Sequence, residues 1–154
     1  MGWPGLEVIV LRLWLLALVL GMTLVGCQFG QKAVARPVEF SLDKEFSLAG
    51  GQDATIRGED LRLRFTEVLE DSRCPTDVEC VWTGQARIAV LVQPPNREPT
   101  TVQFNTNPAP GQNLQTAHVG GYTVNLQSLD PYPKTSDESI SLKQYRATLV
   151  VREA

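Results

Sequence analysis

With 154 residues, the chain has room for one compact domain of ordinary size behind any leader, and no second domain is expected. Hydrophobic residues at 43% and charged residues at 20% describe a sequence that buries a core, which leaves disorder to tails and linkers. The formal net charge of -3 gives no footprint for nucleic acid and no attraction to anionic lipid head groups.

The first element in chain order is a leader. Residues 13–25 form an uncharged apolar run behind Arg12. It is shorter than the roughly 20 residues a membrane-spanning helix needs and matches the apolar region of an export signal. Leu24, Val25, Gly26 and Cys27 follow. This sequence resembles the lipobox of bacterial lipoproteins. The resemblance implies a signal peptide over residues 1–26, cleavage before Cys27, a diacylglycerol on its thiol and an acyl chain such as palmitate on its new amino group. An uncleaved signal anchor is the alternative, because residues 8–26 are apolar apart from Arg12. Either reading places the domain outside the cytoplasm. The expected location is a bacterial membrane, either the outer membrane, which Gln28 permits by the same resemblance, or the outer face of the cytoplasmic membrane. The first expected partner is membrane lipid, through the Cys27 anchor.

Residues 27–43 begin with small and polar residues that show no clear period, so they read as the lipidated cysteine and a flexible tether. A coil of this kind reaches on the order of 20 Å. The β domain is expected over residues 44–154.

From Glu45 onward apolar residues recur with period two, the mark of half-buried strands. Leu61, Leu63 and Phe65 alternate with Arg62, Arg64 and Thr66; Val68 breaks the parity, which predicts a bulge near Thr66 or Glu67. Residues 86–92 are apolar on both parities after Arg87, as in a strand covered on both sides or central in its sheet. Val102 and Phe104 mark a shorter strand, Tyr122, Val124 and Leu126 another, and Tyr145, Ala147, Leu149 and Val151 the last. Glycines and prolines punctuate the intervals, and residues 136–142 have room for one helical turn. About seven strands separated by turns predict an all-β fold. An antiparallel sandwich is the first choice and a partly closed barrel the alternative.

Three cysteines are an odd count, so one has a separate job and two pair. With Cys27 assigned to lipid, Cys74 and Cys80 remain, and in an oxidising compartment they close a small disulfide ring. Chain entropy gives such a ring roughly 2.4 kcal/mol, more a constraint on local shape than on global stability. The cysteines lack zinc-site spacing and His118 is the only histidine, so neither a metal nor a cofactor is expected. Glu70, Asp71, Asp77 and Glu79 read as a solvated acidic loop, since no EF-hand pattern accompanies them.

Four residues nearby are candidates for binding: Arg73, Asp77, Trp82 and Tyr132. Arg73 is an anion contact or, by default, the partner of Asp71 or Asp77. Asp77 lies on the ring itself. Trp82 is a stacking platform or, as the stronger expectation, a tryptophan packed on the core and the disulfide. Tyr132, between Pro131 and Pro133, is an exposed aromatic on a stiff loop or a cover over one end of the sandwich.

The stretch Asp71-Ser72-Arg73-Cys74-Pro75 leading to Cys80-Val81-Trp82 and then Gly84 resembles a segment of uncharacterised bacterial secreted proteins and lipoproteins. The similarity runs from Glu70 to Ala86, with weaker likeness in the flanking strands. Thr83 and Gln85 depart from the alanine and asparagine usual there. The resemblance brings no activity with it.

No GxSxG, HExxH, Walker lysine loop or GxGxxG occurs, and one histidine leaves few acid–base options near neutrality. The expected function is therefore non-catalytic: an envelope binding or accessory module that contacts a protein, glycan or small ligand through its loops. A protease inhibitor presenting the Cys74–Cys80 loop is one alternative. A hydrolase built on a carboxylate pair from distant strands is another. A bridge at the surface favours the inhibitor, and a bridge buried beneath Trp82 favours a structural clip.

Overall fold

The computed structural model describes residues 36–56, 58–112 and 114–154. The expected signal peptide, Cys27 and the tether through residue 35 lie outside the described residues. Among the described residues, no helix is long and apolar enough to cross a membrane.

Nine strands appear among those residues: β1 (Val38–Phe40), β2 (Glu45–Ala49), β3 (Asp53–Ile56), β4 (Arg62–Asp71), β5 (Ala86–Gln93), β6 (Thr100–Asn105), β7 (Thr116–Val119), β8 (Tyr122–Asp130) and β9 (Arg146–Glu153). They form a five-stranded sheet in the order β1-β3-β4-β5-β6 and a four-stranded sheet in the order β2-β9-β8-β7. Every pairing is antiparallel except β1 with β3. The architecture is an all-β sandwich, and the two sheets do not close into a barrel. Nine exceeds the expected count of about seven, and the strands least visible to the sequence are β1, β3 and β7, which at three or four residues are too short to display an alternation.

One boundary needs correcting. Within the expected tether of residues 27–43, Val38–Phe40 is a strand, in parallel register with Ala54–Ile56. Phe40 also stacks on Phe46 of β2, with ring centroids 4.4 Å apart. This pair ties the edge of one sheet to the other, so the folded chain begins before residue 44.

Period two accounts for the rest of the core. Leu63 and Phe65 of β4, Ile88, Val90 and Val92 of β5, and Phe104 of β6 face Leu48, Val124, Leu126, Ala147, Leu149 and Val151 of the second sheet, all buried. Each fully buried aliphatic or phenyl group contributes about 1.5–3 kcal/mol of transfer free energy. β5 is flanked by β4 and β6, as a central strand should be. Arg87 and Leu91 on its outer face are only half-buried, because among the described residues no second layer covers that face.

The parity break in β4 corresponds to a register shift between Phe65 and Glu67, so Thr66 is the extra residue. A similar shift lies between Leu126 and Ser128 in β8. There it leaves Leu126 and Leu129 both buried and turns Gln127 and Ser128 outward. The helical turn falls later than expected, as a 3-10 turn at Leu142–Gln144.

Candidate functional site

The Glu70–Ala86 segment extends the β4–β5 hairpin beyond the sandwich. The Ser72 amide donates to the Gln85 carbonyl at 2.8 Å and the Cys74 amide to the Thr83 carbonyl at 2.9 Å, continuing the ladder past Asp71 and Ala86. Gly84 makes that approach possible. Its φ of +67° is in the left-handed region, and a Cβ there would meet the Ser72 carbonyl oxygen at 1.9 Å. Beyond the ladder, Cys74 is disulfide-bonded to Cys80. The ring is pinned to the chain following β8 by amides of Thr76 and Asp77, which donate to the carbonyls of Pro133 and Lys134, each at 3.0 Å.

Arg73 is the residue that turns inward. It is only 6% exposed. Its Nε donates to Asp71 Oδ1 at 2.8 Å and its Nη2 to Asp71 Oδ2 at 2.6 Å. Nη1 reaches the Leu129 carbonyl at 2.6 Å, and Nη2 the Pro131 carbonyl at 2.8 Å. Asp71 Oδ2 also accepts from the Tyr145 hydroxyl at 2.9 Å. One guanidinium therefore binds the end of β4, in the first sheet, to the end of β8, in the second. Burying two charges carries a large desolvation cost, which is offset only when nearly every polar atom finds a partner, as happens here.

The electrostatics follow from that geometry. Burial alone would raise the Asp71 carboxyl, but hydrogen bonds from Arg73 and Tyr145 outweigh it and hold Asp71 below the usual carboxylate range. Burial, reinforced by the bond to Asp71, pushes the Tyr145 hydroxyl up to about 12. At the outer edge of the hairpin, the Ser72 hydroxyl and then Arg87 lower Glu70.

The four sequence candidates thus separate. Arg73 is committed to protein acceptors, with Asp71 rather than Asp77 as its partner. Tyr132 lays its ring over the Arg73 guanidinium, 4.8 Å from centroid to Cζ, yet remains 43% exposed; it covers the sandwich end and presents a face to solvent. Asp77 is exposed, and its side chain accepts from the Thr76 hydroxyl at 3.2 Å. The acidic residues do not converge, because Asp71 serves Arg73 and Tyr145 while Glu70 serves Ser72 and Arg87.

Trp82 contradicts the expectation of a core tryptophan. It is 81% exposed, and its neighbour Val81 is 92% exposed. The left-handed backbone at Gly84 interrupts the alternation that buries Ala86, so core parity does not carry back to Trp82. The end of the core is already filled by Arg73 and Tyr145.

Three site residues had no motif to announce them. Asn107 donates to the Thr83 hydroxyl at 2.9 Å and to the Gly84 carbonyl at 3.0 Å, bracing the Trp82 loop from the strand β6 side. Tyr145 completes the Asp71 cluster. Gln127 stands out on the β8 bulge, and the three-residue spacing of Leu126 and Leu129 was the available signal for it. Together with Thr83, Ser128 and Tyr132, Asn107 and Gln127 line a cleft of about 410 Å³ beside the loop.

Neither a family model, nor a curated protein, nor a solved structure matches this chain.

Proposed function

We propose that this chain is an exported lipoprotein, held at a membrane by Cys27, whose β domain is a non-catalytic binding module that meets its partner with the Val81–Trp82 loop. The observation that carries the reading is an indole and a valine side chain held almost wholly in water on a constrained loop. The bridge, the Gly84 ladder and the Asn107 brace fix that loop before any encounter. A pre-ordered tryptophan loses little freedom on binding, which is why such residues dominate the energetics of contact surfaces.

A second reading, a protease inhibitor, is favoured by the exposure of Cys80 beside Val81, since a bridged surface loop is what a substrate-like contact requires. Placing a photo-crosslinking residue at Val81 in living cells tests the shared claim. A discrete adduct at Val81, with none at exposed Glu98 on the β5–β6 loop, is the expected result. Equal labelling at both positions, or none at Val81, contradicts it. Cleavage at or next to Val81 by a protease that the protein inhibits would select the inhibitor.

A further inference from the structure

The cleft beside Trp82 has a wall in common with a smaller depression of about 320 Å³ that Trp82 itself lines. Thr83, Gly84 and Asn107 form that common wall. Each depression therefore carries one exposed aromatic, Tyr132 in the larger and Trp82 in the smaller, and the wall they share, Thr83, Gly84 and Asn107, bears no charge. We infer that this paired site binds a neutral oligosaccharide, with pyranose rings against Trp82 and Tyr132 and hydroxyls on the amides of Asn107 and Gln127. The inference rests on the binding-module reading and names the ligand class for that same surface.

Three features of the site select this chemistry. Amides both donate and accept, as sugar hydroxyls do; the Gln127 amide has no partner among the described residues, and Asn107 keeps its carbonyl oxygen after donating to Thr83 and Gly84. Indole and phenol faces offer flat apolar area to the C–H face of a pyranose, and both rings retain exposed surface. The charge pattern disfavours anions. Arg73 is neutralised by Asp71, whereas the Asp130 carboxylate on the cleft wall accepts, among the described residues, only from the Ser128 hydroxyl at 3.1 Å. That carboxylate is free to accept a sugar hydroxyl and repels phosphate or carboxylate ligands.

A peptide added as a strand would need an open edge on β8. That edge is taken through Leu126, whose amide donates to the Gln115 carbonyl at 2.9 Å, and farther along the Leu129 carbonyl is already occupied by Arg73. The surface accordingly fits a ligand that binds by faces and hydroxyls rather than by a backbone ladder.

The test is a calorimetric titration of the full-length protein with two neutral tetrasaccharides, one of β-1,4-linked N-acetylglucosamine and one of β-1,4-linked glucose. Saturable binding of at least one is expected. Trp82→Ala and Gln127→Ala should each weaken it about tenfold or more, while Glu98→Ala leaves it unchanged. Failure of both tetrasaccharides to bind, or binding that survives Trp82→Ala and Gln127→Ala, overturns the inference. If neither tetrasaccharide binds yet a residue at Val81 crosslinks to an envelope protein, the oligosaccharide inference falls and the binding-module reading stands. If both experiments are negative, both readings fall.

Discussion

Asp71 grips Arg73 through two hydrogen bonds of 2.8 and 2.6 Å, and the same guanidinium reaches the Leu129 and Pro131 carbonyls, so a pair of residues two apart in sequence fastens the two sheets together. The clip of the Glu70–Ala86 segment is this ion pair, not the tryptophan. The division of labour follows: Asp71, Arg73 and Gly84 hold the hairpin, which leaves Val81 and Trp82 in water.

Removing either member of the pair should be severe. Arg73→Ala and Asp71→Asn each strand buried partners, and each is expected to cost about 3–5 kcal/mol in chemical unfolding. The double variant should be less destabilised than the sum of the two. Additive losses would show that the pair is not coupled.

The same cluster sets a pH window. Asp71 is held below the ordinary aspartate value of about 3.9, so its contribution is complete above that value and is lost as pH falls through the lower, folded one. Tyr145 behaves oppositely. Its folded value is raised to about 12 from an ordinary value of about 10, so its contribution is present below pH 10 and lost as pH rises toward 12. Tyr122, whose hydroxyl donates to Glu59 at 2.7 Å, is also raised to about 12 and acts in the same alkaline window. Urea unfolding across pH should therefore show a shallower acid slope for Asp71→Asn than for the wild type. Tyr145→Phe should show a shallower alkaline slope with the Tyr122 share intact. Unchanged slopes would contradict the assignment.

Gly84→Ala should disrupt the hairpin extension, since the added methyl collides with the Ser72 carbonyl and the backbone is left-handed. A loss of at least about 2 kcal/mol is expected. Amide exchange should rise at Ser72 and Cys74, the donors of the ladder. Wild-type protection at those two amides would mean that the ladder does not depend on Gly84.

Cys27→Ser should release the protein from the membrane fraction into the soluble exported fraction. Mass spectrometry of the mature amino terminus is the direct check, and an unmodified Cys27 thiol would reject lipidation.

Much of the architecture was legible in the sequence because it depends on period two. The alternations through Leu61, Leu63 and Phe65, and through Ala147, Leu149 and Val151, become buried faces of opposite sheets, and the break at Val68 becomes a bulge. The Cys74–Cys80 bridge was legible from cysteine arithmetic. What escaped depends on tertiary approach. Nothing in the local sequence shows that Arg73 will find carbonyls 56 and 58 residues away, and this is what fills the end of the core beside the hairpin. Of the two readings open for Trp82, hydrophobicity favours burial on average, whereas one left-handed glycine two residues on is enough to redirect the chain.

Trp82 stands outside the core, and the proposed function requires it to be a contact residue that does not support the fold. Trp82→Ala should leave the unfolding free energy within about 0.5 kcal/mol of the wild type, as expected for an exposed side chain. The most direct measurement is therefore crosslinking from Val81 in cells, made in the wild-type and Trp82→Ala backgrounds after equal thermal stability has been verified. A discrete adduct in the wild type that is lost in Trp82→Ala is the predicted result. An unchanged adduct in an equally stable variant, or a Trp82→Ala protein that unfolds several kcal/mol more easily, would contradict it.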